Sequence, residues 1–182
     1  MKLKPKMAEK DLKSTKDQDA YINEVISFFN SGGTLAMLQG IDASLLEQMY
    51  TVAYYQYNNG EIEKAEKTFQ VLVMLDQYQI RFHLGLGACR QELNKYEPAI
   101  EAYSYAAILD LKDPRPPFQA GECYLKLQDL DKATQSLNMA EQLSKSSIKH
   151  QELYKKTQEK KQLLEIMQRS KSKLKKEAHH VS

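Results

Sequence analysis

The chain has 182 residues, 42% of them hydrophobic and 27% charged, with a mean hydropathy of -0.62. That composition supplies a core with a well-solvated exterior, and no apolar run approaches the roughly 18–20 residues that span a bilayer; stable membrane association is excluded on that ground. Charge is divided unevenly, with a net of 0 over residues 1–45, -4 over 46–145 and +6 over 146–182, and an acidic middle excludes a nucleic-acid grip there.

Residues 1–17 are charged and carry no apolar segment behind their lysines, so they read as a disordered N-terminus and not as a secretory signal. With only two cysteines, a reducing cytoplasm and free thiols are expected. The stretch "DQDAYINEVISFFNSGG" then predicts a helix over 18–30, acidic at its start and closed by glycines. Its stripe of Tyr21, Val25, Phe28 and Phe29 is more apolar than one cap requires, which points to a self-contact and a homodimer. Residues 31–45, with "GGTLAMLQGI", form a short helical connector, so that 18–45 precedes the main body.

From residue 46 the sequence repeats itself. Ala65, Ala99 and Ala133 are separated by steps of 34, as are Phe69, Tyr103 and Leu137, and again Leu75, Leu109 and Leu143. A fixed 34-residue period of paired helices is the tetratricopeptide pattern, with repeats over 46–79, 80–113 and 114–147. Gly60 stands where a first helix ends, and Pro114, Pro116 and Pro117 gather where another begins. The fold class is therefore all-α: three tandem helix-turn-helix repeats with N- and C-terminal capping helices.

Within the second repeat, "GLGACR" (85–90) imitates a phosphate-cradling loop, but Arg90 replaces its third glycine. The stretch falls inside a helix with no strand before it, so the dinucleotide reading is rejected. Gly87 and Gly121, with Ala53, occupy the small position at which the two helices of a repeat pack closely. Cys89 and Cys123, also 34 apart, read as small buried residues about 10 Å from one another, too far for a disulfide.

After the third repeat, 148–168 carries Leu153, Leu163, Leu164, Ile166 and Met167 as anchors for a C-terminal capping helix. The segment 169–182 is basic and reads as a disordered tail. Nothing along the chain forms a catalytic constellation: the four histidines are scattered and neither cysteine has a C-x-x-C partner. The expectation is a protein without catalytic residues, metal or cofactor, whose function lies on a surface.

That surface is the concave face made by the first helix of each repeat. The repeat pattern assigns to it Tyr50, Tyr54 and Tyr57 from the first repeat; Leu84, Ala88 and Gln91 from the second; and Arg115, Phe118 and Glu122 from the third. The three tyrosines share one helical face by the i, i+4, i+7 rule, and aromatics with polar tips suit an extended apolar chain. A clamp for a C-terminal carboxylate would have to rely on Arg115 alone, since Tyr50, Tyr54 and Gly85 stand at its other places.

Over roughly 20–150, "GGTLAMLQGI", "RFHLGLGACRQ" and "AYSYAAILDLKDPRPPF" resemble the class II chaperones of bacterial type III secretion systems. The resemblance implies a cytoplasmic, homodimeric bacterial chaperone for hydrophobic translocators. It implies that an extended N-terminal client segment with a P-x-L-x-x-P-like motif lies in the groove, kept soluble and ready for secretion. A general tetratricopeptide scaffold for other partners is the competing reading.

Overall fold

The computed structural model describes the backbone of residues 15–180 and the side chains of 15–16 and 18–173. The N-terminal segment expected to be disordered lies outside the described residues up to position 14; residues 15–17 belong to the first helix. In chain order the helices are α1 (Thr15–Asn30), α2 (Leu35–Gln39), α3 (Ala43–Asn58), α4 (Ile62–Leu75), α5 (Ile80–Glu92), α6 (Tyr96–Leu109), α7 (Arg115–Lys126), α8 (Leu130–Ser144) and α9 (Gln151–His180). A 3-10 turn over Ile148–His150 leads into α9. No strand occurs among the described residues.

Three hairpins, α3–α4, α5–α6 and α7–α8, stack in sequence. Their close approach is set by the small residues that recur at the 34-residue step. Ala53, Ala65, Ala99 and Ala133 are fully buried. A Cβ at Gly87 would fall 2.5 Å from the Tyr103 ring, and one at Gly121 would fall 2.8 Å from Leu137. Any larger residue there would force the paired helices apart.

The hairpin turns repeat a backbone conformation as well. Gly60, Asn94 and Gln128 all adopt positive φ, at 77°, 57° and 57°. Each stands one step from the next, at the turn between the first and second helix of its repeat. The turns between repeats also match: Asp76 and Asp110 end α4 and α6, and their carboxylates accept the N–H of Tyr78 (3.0 Å) and Lys112 (2.9 Å). Across the first two repeats, Glu66 is buried and bonded to Lys95 Nζ at 2.7 Å, with Arg90 Nε at 3.6 Å. This tie fastens α4 to the second hairpin.

Helix α9 departs from expectation. It runs to His180, through the segment read as a disordered tail from 169. Nothing after residue 147 breaks a helix: Gly and Pro are absent, and Lys, Gln, Glu and Leu all favour it. Ion pairs at i, i+4 add support, Lys156 with Glu152 (2.8 Å) and Arg169 with Glu165 (3.9 Å). Basic composition measures solvation and says little about backbone order. The helix packs along α8 through Leu164, with Leu153 and Met167 half-buried, and Gln158 donates to Glu141 at 2.7 Å. Leu163 and Ile166, expected as anchors, face outward at 47% and 61% exposure.

Candidate functional site

Helices α3, α5 and α7 lie side by side and form one wall each of a concave cleft of about 390 Å³. Seven of the nine residues assigned to this face line it: Tyr50, Tyr54, Tyr57, Leu84, Ala88, Arg115 and Phe118. They arrive together because the first helix of each repeat turns the same register positions inward.

Tyr50 is the hub. Its ring stands edge-on to Phe69 (6.0 Å), is tilted against Phe82 (5.9 Å), and stacks on Tyr54 (6.3 Å). Packing on this side half-buries Tyr50, whereas Tyr54 remains 54% exposed. Tyr57 is half-buried, and desolvation, reinforced by the Glu92 carboxylate and by Cys89 and Tyr54, raises its phenol above the ordinary value. Phe118 is buried and belongs to the floor.

Two assigned residues do not line the cleft. Gln91 lies behind it, accepting from Tyr103 Oη at 2.9 Å and from Cys123 Sγ at 3.5 Å. Glu122 is taken by Lys160 of α9 at 2.6 Å. Gln91 is turned toward the second helix of its own hairpin and the next repeat, and Glu122 toward α9, so a repeat register alone could not assign them.

The cleft also contains Arg81, which the repeat register likewise turns to this face, and residues that the sequence reading left to the core or omitted. Phe69 and Tyr103 reach it from the second helices, Arg81, Gly85 and Gln119 from the first, and Leu153 closes it from α9. The signal for Phe69 was present in "GLGACR". A Cβ at Gly85 would collide with the Phe69 ring, so the glycine opens the floor to an aromatic from behind. Gly85 serves the cleft and Gly87 the hairpin packing.

The rim is charged but locally neutralised. Arg81 forms a two-point pair with Glu47, one bond at 2.9 Å, and its guanidinium lies 4.7 Å above the Tyr50 ring. Glu47 is held below its ordinary range by the hydrogen bond from Arg81. Arg115 grips Asp113 through Nε (2.9 Å) and Nη2 (2.6 Å), and its backbone N–H adds a bond at 2.9 Å. Burial pushes Asp113 up, but these side-chain and backbone bonds together outweigh it and leave the carboxyl below its ordinary value.

Of the residues expected in a self-contact, Phe28 is buried and meets Gly33, while Tyr21, Val25 and Phe29 are half-buried. The exposed apolar residues of α1 are Ile22 and Ile26, at 53% and 50%. Among the described residues no group of three or more His, Cys, Asp or Glu is placed to hold a metal ion. No described helix is long and apolar enough to cross a membrane. The arrangement supplies apolar surface and hydrogen-bond donors, which is the chemistry of binding.

Comparison with known proteins finds the same fold. A tetratricopeptide repeat family model matches residues 46–79. The chain is 46% identical over 139 residues to low calcium response locus protein H of Yersinia pestis, covering 76% of this chain and 83% of that protein. A type III secretion complex from Aeromonas hydrophila superposes with a TM-score of 0.76 at 41% identity, covering 81% of this chain and 97% of its counterpart. The Yersinia enterocolitica type III secretion chaperone SycD, solved with a peptide of the translocator YopD, gives 0.67 at 42% identity, covering 72% and 98%. SycD has also been solved as an alternative dimer, with a TM-score of 0.66 at 40% identity over 72% and 97% of the two chains.

Proposed function

The chain belongs to the translocator chaperones of type III secretion systems, a non-enzymatic class, and we propose that its concave cleft holds an extended N-terminal segment of a hydrophobic translocator. The observation that carries this reading is the exposed Tyr54 ring, stacked on Tyr50 and facing Leu84 and Ala88 across a cleft with an aromatic floor. Burying three apolar client side chains contributes about 1.5–3 kcal/mol each. Several kcal/mol of association and ordering cost oppose it, so three anchors alone reach roughly millimolar affinity at best, and tighter binding requires further client contacts. Modest affinity suits a client that must later be released for secretion.

The protein acts in the bacterial cytoplasm, where clients are made, and it acts as a homodimer. The exposed Ile22 and Ile26 of α1 support a self-contact there, with Tyr21, Val25 and Phe29 beside them. Co-expression tests the chaperone reading. A translocator encoded beside this gene should move from the pellet to the soluble fraction and co-purify when this chain is present. An insoluble client that never co-purifies would overturn the reading and favour a general scaffold.

A further inference from the structure

Arg81 and Arg115 occupy the same register position of successive repeats, and both line the cleft. Each guanidinium is fixed by a carboxylate, yet neither is fully used. Arg81 bonds Glu47 through Nη1 and Nη2, and Arg115 bonds Asp113 through Nε and Nη2. Arg81 Nε and Arg115 Nη1 make no hydrogen bond among the described residues.

Charge decides what these donors can take. Asp76 acts on Arg81 besides Glu47, and Asp110 acts on Arg115 besides Asp113. Two cations among four carboxylates give no excess positive potential, so a client carboxylate gains little here. A neutral acceptor avoids that repulsion. Main-chain carbonyls of an extended segment are such acceptors, because they have no partners within their own chain.

Spacing adds a second constraint. Helices packed side by side stand about 8–10 Å apart, and Arg81 and Arg115 face one cleft from successive first helices. In a polyproline II segment, carbonyls three residues apart recur on the same edge at about 9 Å. Building on the groove reading above, we propose that Arg81 and Arg115 are twin main-chain anchors. They bind client carbonyls three residues apart and so select an extended, uncharged segment over a helix or an acidic one.

The probe is a capped peptide rich in leucine and proline, free of ionisable groups, titrated calorimetrically at low and high salt. A second peptide carries one glutamate. Arg81→Ala leaves only the solvent-exposed Glu47 without its partner, and because the guanidinium also lies over Tyr50, Arg81→Lys is measured beside it to keep a cation there without the planar fork. Arg115→Lys keeps a cation for the buried Asp113 while removing the planar fork, and melting curves check that it folds. Each substitution should weaken the neutral peptide about fivefold to tenfold, at either salt concentration. The glutamate peptide should bind wild-type protein no better than the neutral one.

Unchanged affinity in the arginine variants, while Tyr54→Glu still abolishes binding, would overturn the anchors and leave the groove reading standing. A salt-sensitive preference for the glutamate peptide would overturn them in favour of carboxylate recognition. If Tyr54→Glu also leaves binding intact, the groove reading fails and the anchors fall with it.

Discussion

Cys89 and Cys123 stand 34 residues apart at equivalent positions of successive repeats, and both are fully buried free thiols. Burial pushes each thiol up to about 12, helped by Glu66 and Glu92 at Cys89 and by Glu122 at Cys123. In the unfolded chain the same groups lose their protons near 9. Between about 9 and 12 the unfolded state therefore binds fewer protons than the native one, and stability falls as pH rises through that window. Denaturant titrations at pH 8 and pH 10 should show the lower midpoint at pH 10. A thiol reagent at pH 8 should find two groups in unfolded, unreduced protein and label the native protein slowly. Fast labelling of the native protein would contradict the burial. Gln91 and Glu122 were not legible from register, because Gln91 turns to Tyr103 within its own hairpin, and Cys123 and Lys160 become neighbours only after the hairpins and α9 stack.

At the scale of elements, the 34-residue step was legible because one steric demand recurs in each hairpin. The turn conformation recurs too, but its third example is hidden by residue type. Gly60 and Asn94 are residues that accept positive φ, whereas Gln128 does so at a cost of about 1–2 kcal/mol. Gln128→Gly relieves that strain and loses some backbone entropy, for a net gain of roughly 0.5–1 kcal/mol. Its melting temperature should rise by about 1–4 °C; a fall would show that the Gln128 side chain holds the turn. Helix α9 was half legible. Its start was given by Leu153 and its continuation was masked by charge, although the absence of Gly and Pro after 147 pointed to it. On α1 the hydrophobic stripe was legible, but not which part of it would fold inward over the Gly33 turn. Replacing Ile22 and Ile26 together by Asp should convert a dimer to monomer in sedimentation, with helicity retained. A dimer that persists would move the interface elsewhere.

For the whole molecule, the repeats do two things with one geometry. Small residues between paired helices bring them close, and the first helices turn tyrosines, a leucine and two arginines into a common cleft. The acidic middle and basic end separate the binding body from α9, which closes the cleft through Leu153 and holds Glu122 through Lys160. The groove's membership was largely legible from register. Its floor was not, since Phe69 reaches it only because Gly85 has no side chain. The central claim is that an extended apolar client is held on this face, and Tyr54→Glu tests it most directly. The ring is 54% exposed, so a charge there stays solvated in the free protein and the melting temperature should hold. Client binding would bury that charge unpaired, at a cost of several kcal/mol. Calorimetry with a translocator N-terminal peptide should show at least a tenfold loss of affinity, about 1.4 kcal/mol, with an unchanged melt. An unchanged affinity would place the client elsewhere, and a collapsed melt would make Tyr54 part of the core; either result contradicts the account.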